Sequence, residues 1–201
     1  MLTTGRNRIQ DGNWALEKLE EQDFAQIGVF DCDNDDLNEF FKTDALEHKK
    51  ELLTETYSLY EATVGEKKSP VALVSFCNDV IHLSKEKRSE LLDPKKALYQ
   101  YLPAVKIARL GVHKPFQGKN LGTFLVNLTK KLFLTDNRTG CRFITVDALN
   151  DKRGKKFYQK NGFEFLHSKD KNKKTRIMWF DLKRLILNTS KIKDNDAANI
   201  S

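Results

Sequence analysis

No apolar run in the 201-residue sequence approaches the roughly 20 residues a helix needs to cross a bilayer, so no membrane-spanning helix is expected. The opening stretch MLTTGRNRIQDGNW has no apolar centre and does not read as a secretory signal. A cytoplasmic protein is the expectation. Cysteine is sparse, and Cys32, Cys77 and Cys141 are odd in number and widely spaced. They read as reduced thiols, two of them small apolar residues on strands. His48, His82, His113 and His167 share no metal-ligand spacing with one another or with the cysteines, so no metal is expected.

What is present suits one folded domain over residues 1–187 with a polar, disordered tail over 188–201. A hydrophobic content of 39%, with 13 phenylalanines, is enough for a core, and 31% charged residues implies a wetted surface. The net charge is +7 and concentrates in the C-terminal half, at Lys130-Lys131, Lys152-Arg153, Lys155-Lys156 and residues 169–176. Such an excess fits nucleic acid, an anionic cofactor or simply a solvated basic face.

Taken in order, residues 1–14 read as polar and frayed, and residues 15–20 as a strand or a helical turn. Asp33 or Asp35 is placed to cap a helix whose stripe is Leu37, Phe40, Phe41, Ala45 and His48, ending near Glu51. His48 on that stripe reads as a packed side chain. Residues 56–63 and 71–77 form a hairpin about the turn at 65–70. Residues 84–92 are helical, Pro94 breaks the helix, and 79–102 is otherwise an irregular connection. After a central strand and helix, Gly140 reads as the residue just past the helix end. Residues 143–148 form a strand, Asp151 caps a helix over 152–161, and Gly162 closes it. Strands at 163–166 and 176–182 flank the basic loop 168–174. Strand–helix–strand connections around Leu110 and Val146 require a parallel pair, and the hairpins add antiparallel strands. The fold class is therefore α/β (α+β): a three-layer sandwich with a mixed central sheet and helices on both faces.

The chain is organised around residues 106–123, KIARLGVHKPFQGKNLGT. Ile107, Leu110 and Val112 belong to a strand, and Pro115 ends it. The loop Gln117-Gly118-Lys119-Asn120-Leu121-Gly122-Thr123 runs into the apolar stripe Leu121, Phe124, Leu125, Leu128 and Leu132 of an amphipathic helix. A helix start beside a glycine-containing loop offers free N–H groups and a positive dipole end, which suits a diphosphate. An ordinary strand–helix turn has the same outline.

Gln117-x-x-Asn120-x-Gly122 resembles the Gln/Arg-x-x-Gly-x-Gly/Ala loop of the GNAT N-acetyltransferase superfamily. Phe157-Tyr158-Gln159-Lys160-Asn161-Gly162-Phe163 is similar to that superfamily's FYxxxGF segment, and the two occur in the matching order. Phe30-Asp31-Cys32, then Leu37-Asn38-Glu39-Phe40, resembles the FDCxxxxLNxFL opening of a toxin-type subgroup that acetylates charged tRNA. Ala108-Arg109-Leu110-Gly111-Val112 resembles its GRLAV strand. Asn120 stands where a glycine is usual, and asparagine is among the few residues that tolerate a left-handed backbone. The segment after Asp147-Ala148 is one residue longer than the subgroup's pattern.

The resemblance implies acetyl transfer from acetyl-CoA to a primary amine, with no metal. The acceptor is charged tRNA in the toxin-like reading, or a small-molecule or protein amine. A non-catalytic acyl-CoA- or RNA-binding module is the alternative. It implies that Leu110, Gly111 and Val112 face the pantetheine and acetyl carbonyl, that residues 117–123 hold the pyrophosphate, and that Asn150 and Lys155 contact the coenzyme. Tyr158 is the implied acid for the leaving thiolate, since a phenol is protonated at neutral pH. No general base is evident. Asp147 either orients the acceptor or partners a helix end. Arg109 either forms a structural ion pair, the favoured reading, or faces the acceptor. An antitoxin and a second copy of the chain are the implied protein partners.

Overall fold

The computed structural model describes residues 2–5, 7–62, 69–135, 137 and 140–186, and of the side chains of 2–5 nothing is said. The expected turn at 65–68 and the tail at 188–201 lie outside the described residues.

Residues 1–14 were expected to be polar and frayed, but Leu2–Gly5 (β1), Arg8–Asp11 (β2) and Trp14–Lys18 (β3) form an antiparallel meander. Asp11-Gly12-Asn13 supplies the turn between β2 and β3, with Gly12 at a φ of +60°. Ile9 and Leu16 stand opposite each other and are fully buried, which overrides the polarity of their neighbours.

A 3₁₀ segment, Glu21–Val29, leads to α1 (Asp35–Glu39), a π-helical turn (Phe40–Asp44) and α2 (Ala45–Lys50). The expected single helix is therefore interrupted. Its cap is Asn34, whose side chain accepts from the Leu37 N–H, in place of Asp33 or Asp35. The π turn sets Phe40 and Phe41 edge to face, 5.5 Å apart, beneath Phe30.

Glu55–Glu61 (β4) and Ala72–Ile81 (β5) form the expected hairpin, with β5 running further than residue 77. The stretch expected to be helical over 84–92 is α3 (Lys85–Leu91), and Ser84 caps it, its hydroxyl accepting from the Lys87 N–H. Then come Leu102–Val112 (β6), Leu121–Thr135 (α4), Phe143–Leu149 (β7) and Lys152–Lys160 (α5), closed by Glu164–Phe165 (β8) and Thr175–Asp181 (β9). Because α4 ends at Thr135, Gly140 does not close it. Its φ of +72° instead turns the chain towards β7.

The nine strands make one mixed sheet in the order β1-β2-β3-β4-β5-β6-β7-β9-β8, in which β6 and β7 are the parallel pair. One face packs on α4 and α5 through Val74, Ile107, Val146, Leu125, Leu128, Leu132 and Tyr158. The other carries Leu73, Phe30 and Phe41 at one end and Phe143, Trp179 and Leu91 at the other. Helices cover both faces, as the element order requires. Among the described residues no helix is long and apolar enough to cross a membrane.

One cation sits inside this core. Lys130 is 6% exposed and meets no carboxylate among the described residues. Its ammonium donates to the Asn161 carbonyl at 2.7 Å and stands 4.2 Å from the centre of the Phe180 ring. Burial, with a smaller push from Arg184, lowers its pKa from 10.5 to about 8. The unfolded chain therefore holds this proton more tightly than the folded one. The resulting cost, on the order of 3 kcal/mol before the ring and carbonyl contacts offset part of it, is full below pH 8. It fades as pH rises towards 10.5. Lys130→Met should raise stability at pH 7 by about 1–2 kcal/mol in denaturant unfolding, with the gain shrinking at pH 10. A loss of stability at pH 7 would show that the ring and carbonyl contacts outweigh the burial.

Candidate active site

The site begins where β6 and β7 stop pairing. Their ladder runs only from Ala104 opposite Phe143 to Ile107 opposite Val146. Beyond it β6 continues to Val112 alongside β5, and β7 continues to Leu149 alongside β9. On the β5 side the register slips: Phe76 faces Ile107 and Ser75 faces Arg109, leaving Ala108 as the extra residue of a bulge. A bulge bends its strand, and here it separates two parallel neighbours. The facing edges of Leu110, Gly111 and Val112 and of Asp147 to Leu149 are left without each other's hydrogen bonds.

At the far end of β6 lies the glycine-containing loop. Among the described residues, the N–H groups of Gly118, Lys119, Asn120, Leu121, Gly122 and Thr123 have no acceptor. Gly118 and Asn120 have φ of +76° and +59°, so the backbone alternates in hand and turns successive N–H groups to one side. That concavity, opening onto the first turn of α4, is an anion-binding shape. Asn120 adopts the left-handed conformation that its position demands.

The Gln117 side chain has a different place. Its amide donates to the carbonyls of Cys32, at 2.9 Å, and Val112, at 3.0 Å, and its N–H bonds to the Lys114 carbonyl. It clamps the base of the loop. The segment it grips is a polar knot in which Asn38 donates to the Asp31 carboxylate, and its own carbonyl oxygen accepts from the Cys32 N–H. The Lys114 N–H bonds to the Asp31 carbonyl. The Asp33 N–H and the Asn38 amide hold the Asp31 carboxyl below its usual pKa. Gly111 packs closely on this knot, and a Cβ there would stand 3.2 Å from the Cys32 side chain. Sequence reading found the segment by resemblance and missed its task as a buttress for β6 and the loop.

Tyr158 lies on α5, buried and edge to face with Phe157 and Phe163 at 4.9 and 5.4 Å. Burial pushes its phenol well above the ordinary range, so it carries its proton at neutral pH. Two glycines fix the helix. A Cβ on Gly122 would stand 3.2 Å from the Phe157 ring, and one on Gly154 would stand 2.8 Å from the Leu149 carbonyl oxygen. Without side chains there, α5 can close on α4 and on the end of β7.

Asn150 and Lys155 are held elsewhere. Asn150 donates at 2.8 Å to the carbonyls of both Lys171 and Lys173, and Lys155 donates to the Asn150 side-chain oxygen at 3.0 Å. Together they pin the basic loop over the end of β7. Arg109 is exposed and stands 4.9 Å from the centre of the Phe40 ring, with its guanidinium donating to the Ala108 carbonyl. The favoured structural ion pair does not form among the described residues, because after the bulge the side chain leaves the sheet. Asp147 partners Lys106 at 3.1 Å and no helix end. Burial alone would lower the Lys106 pKa, but the Asp147 hydrogen bond and the charges of Asp147 and Asp79 outweigh it and raise it. His48 packs edge to face on Phe40, and its Nδ1 finds no partner. Among the described residues no cluster could hold a metal.

A family model described as an acetyltransferase (GNAT) domain matches residues 81–165, which include the parted strands, the loop and Tyr158. A sequence search of curated proteins gives no match. Solved structures share the fold over most of the chain. A variant of KacT is 20% identical, with a TM-score of 0.68 over 87% of this chain and 98% of that one. AtaT complexed with acetyl-methionyl-tRNAfMet is 22% identical, with a TM-score of 0.67 over 88% and 99%. A variant of the AtaT toxin bound to the C-terminus of the antitoxin AtaR and acetyl-CoA is 18% identical, with a TM-score of 0.67 over 88% and 98%.

The close approach at Gly154 gives the packing of α5 on β7 a direct test. Alanine is the better helix former by about 1 kcal/mol, yet its Cβ would press on a backbone carbonyl that cannot turn away. Gly154→Ala should lower stability by about 1–2 kcal/mol, which for a chain of this size is a fall in Tm of roughly 2–8 °C. A raised Tm would mean that α5 packs less closely on β7.

Proposed function

We propose that the protein moves the acetyl group of acetyl-CoA to a primary amine by direct attack, with the α-amino group of an aminoacyl-tRNA as the acceptor. The observation that carries this reading is the gap between β6 and β7 leading to a helix start with free amides. An extended chain ending in a diphosphate would lie along such a gap with its phosphates in the concavity of residues 118–123. The backbone of Leu110, Gly111 and Val112 would line the pantetheine and the thioester. A backbone donor aimed at the developing oxyanion is worth about 3 kcal/mol or more.

Direct attack is favoured because no activated thiol is present for an acyl-enzyme. Burial pushes the thiols of Cys32 and Cys77 above their usual range and that of Cys141 up to about 11. In the reaction the amine nitrogen bonds to the carbonyl carbon and the carbon–sulfur bond breaks. The thiolate takes the Tyr158 proton, and the nitrogen's surplus proton restores the phenol through water. No metal enters.

The RNA acceptor is supported by the charge of the surface around the gap. Lys152, Arg153, Lys155 and Lys156 on α5 and Lys169, Lys171, Lys173 and Lys174 on the loop pair with no carboxylate among the described residues. Part of this charge would serve the coenzyme's phosphates, and the rest suits a polyanion. The similar folds of toxins solved with charged tRNA, acetyl-CoA and an antitoxin agree with that acceptor and suggest an antitoxin partner. A homodimer and a cytoplasmic location belong to the same reading.

Incubation with acetyl-CoA and total charged tRNA, followed by mass spectrometry of the aminoacyl ends, should give N-acetylated aminoacyl products. Tyr158→Phe should lower kcat by about 10²-fold or more and leave acetyl-CoA affinity within twofold. Thermal stabilisation by acetyl-CoA without transfer to charged tRNA or to a broad amine panel would instead indicate a binding module. Unchanged kcat in Tyr158→Phe would remove the acid.

A further inference from the structure

The face of the sheet opposite α4 and α5 carries an ion network at the point where the strands part. Lys106 immediately precedes Ile107, the last β6 residue paired with β7, and Asp147 is the first β7 residue beyond that pair. The Lys106 ammonium lies 3.1 Å from Asp147 Oδ2 and 3.7 Å from Asp79 Oδ2. Asp79 also accepts the Thr145 hydroxyl. The side chain of Asp147 is 45% exposed, against 27% for Lys106 and 23% for Asp79, so Asp147, one residue past the last pair, is the most accessible member at the mouth of the gap. Its second oxygen, Oδ1, has no partner among the described residues.

One cation between two carboxylates leaves one negative charge in excess. That excess stands at the vertex of the gap in a chain whose net charge is +7. Arg109 does not cancel it, since its guanidinium is turned onto Phe40. Tyr158 sits on the α4–α5 face and Asp147 on the other, so a leaving sulfur and an entering nitrogen would meet their partners from opposite sides.

We infer that Asp147, oriented by Lys106, receives the ammonium group of the acceptor at Oδ1 and sets its nitrogen against the thioester. This rests on the proposed acetyl transfer and adds to it the group that selects a cationic amine. A second ammonium completes a network of two cations and two carboxylates, which lowers the cost of holding both carboxylates at a partly dry vertex. Asp147 binds and orients the amine while it is charged. The proton is then lost to water before the nitrogen attacks, so no proton is stored on the protein.

The test is an NMR titration of the CoA-loaded full-length protein with methioninamide, a cationic α-amine, and with N-acetylmethioninamide, its neutral counterpart. The wild type should bind the cationic amine at least tenfold more tightly than the neutral one. Asp147→Asn should abolish the discrimination, and Asp147→Glu should restore at least part of it. Equal affinities in the wild type would overturn the inference without any variant. So would discrimination that survives in a folded Asp147→Asn protein. Acetyl transfer is followed separately by CoA release from acetyl-CoA. Discrimination without transfer would count against the proposed function and leave the ammonium site standing.

Discussion

The structure depends on a broken ladder. Four residue pairs hold β6 to β7, and then the bulge at Ala108 turns β6 away. Backbone groups at the middle of a sheet are normally consumed by their neighbours, and leaving them unpaired costs free energy unless something else meets them. Here they line an open gap that a ligand can fill. The surroundings are arranged to keep that gap open. The Asp31–Cys32–Asn38 knot and the Gln117 clamp brace the end of β6, while Gly122 and Gly154 let α4 and α5 close on the other side.

This division of labour explains why some residues of the central motif do not do what their pattern suggests. Gln117 is the first residue of the loop signature, yet its side chain and its N–H both serve the protein's own backbone. The free donors are the backbone groups that follow it. In the same way Asn150 and Lys155 act first on the loop that covers β7. The position of that loop, with its lysines, is therefore tied to the same strand end as the gap.

The parallel pair, the hairpin and the helices at 121–135 and 152–160 were legible because their apolar periods and end signals agree with one another. Asp151 and Gly162 mark the ends of α5 as expected. The strand reading of residues 15–20 matches β3 at Trp14–Lys18, while β1 and β2 were illegible for a physical reason. Ile9, Ala15 and Leu16 bury fully only because β4 and its neighbours complete the sheet, and a short stretch rich in polar residues carries no local trace of that partner. The π turn escaped because Leu37, Phe40, Phe41 and Ala45 keep a helical stripe whether or not one residue is inserted. The bulge escaped because Ala108 shows nothing in sequence, and with it went the direction of Arg109. In the site, Asn120 was legible as a left-handed position, whereas the knot around Asn38 depends on contacts between distant segments.

The account stands on residues 118–123 and the free edge of β6 meeting one extended, diphosphate-bearing ligand. The most direct measurement is amide hydrogen exchange of the full chain with and without acetyl-CoA. Protection should appear at residues 110–112 and 118–123 and be absent from α3. Protection confined to other segments, or none at saturating acetyl-CoA, would contradict the account.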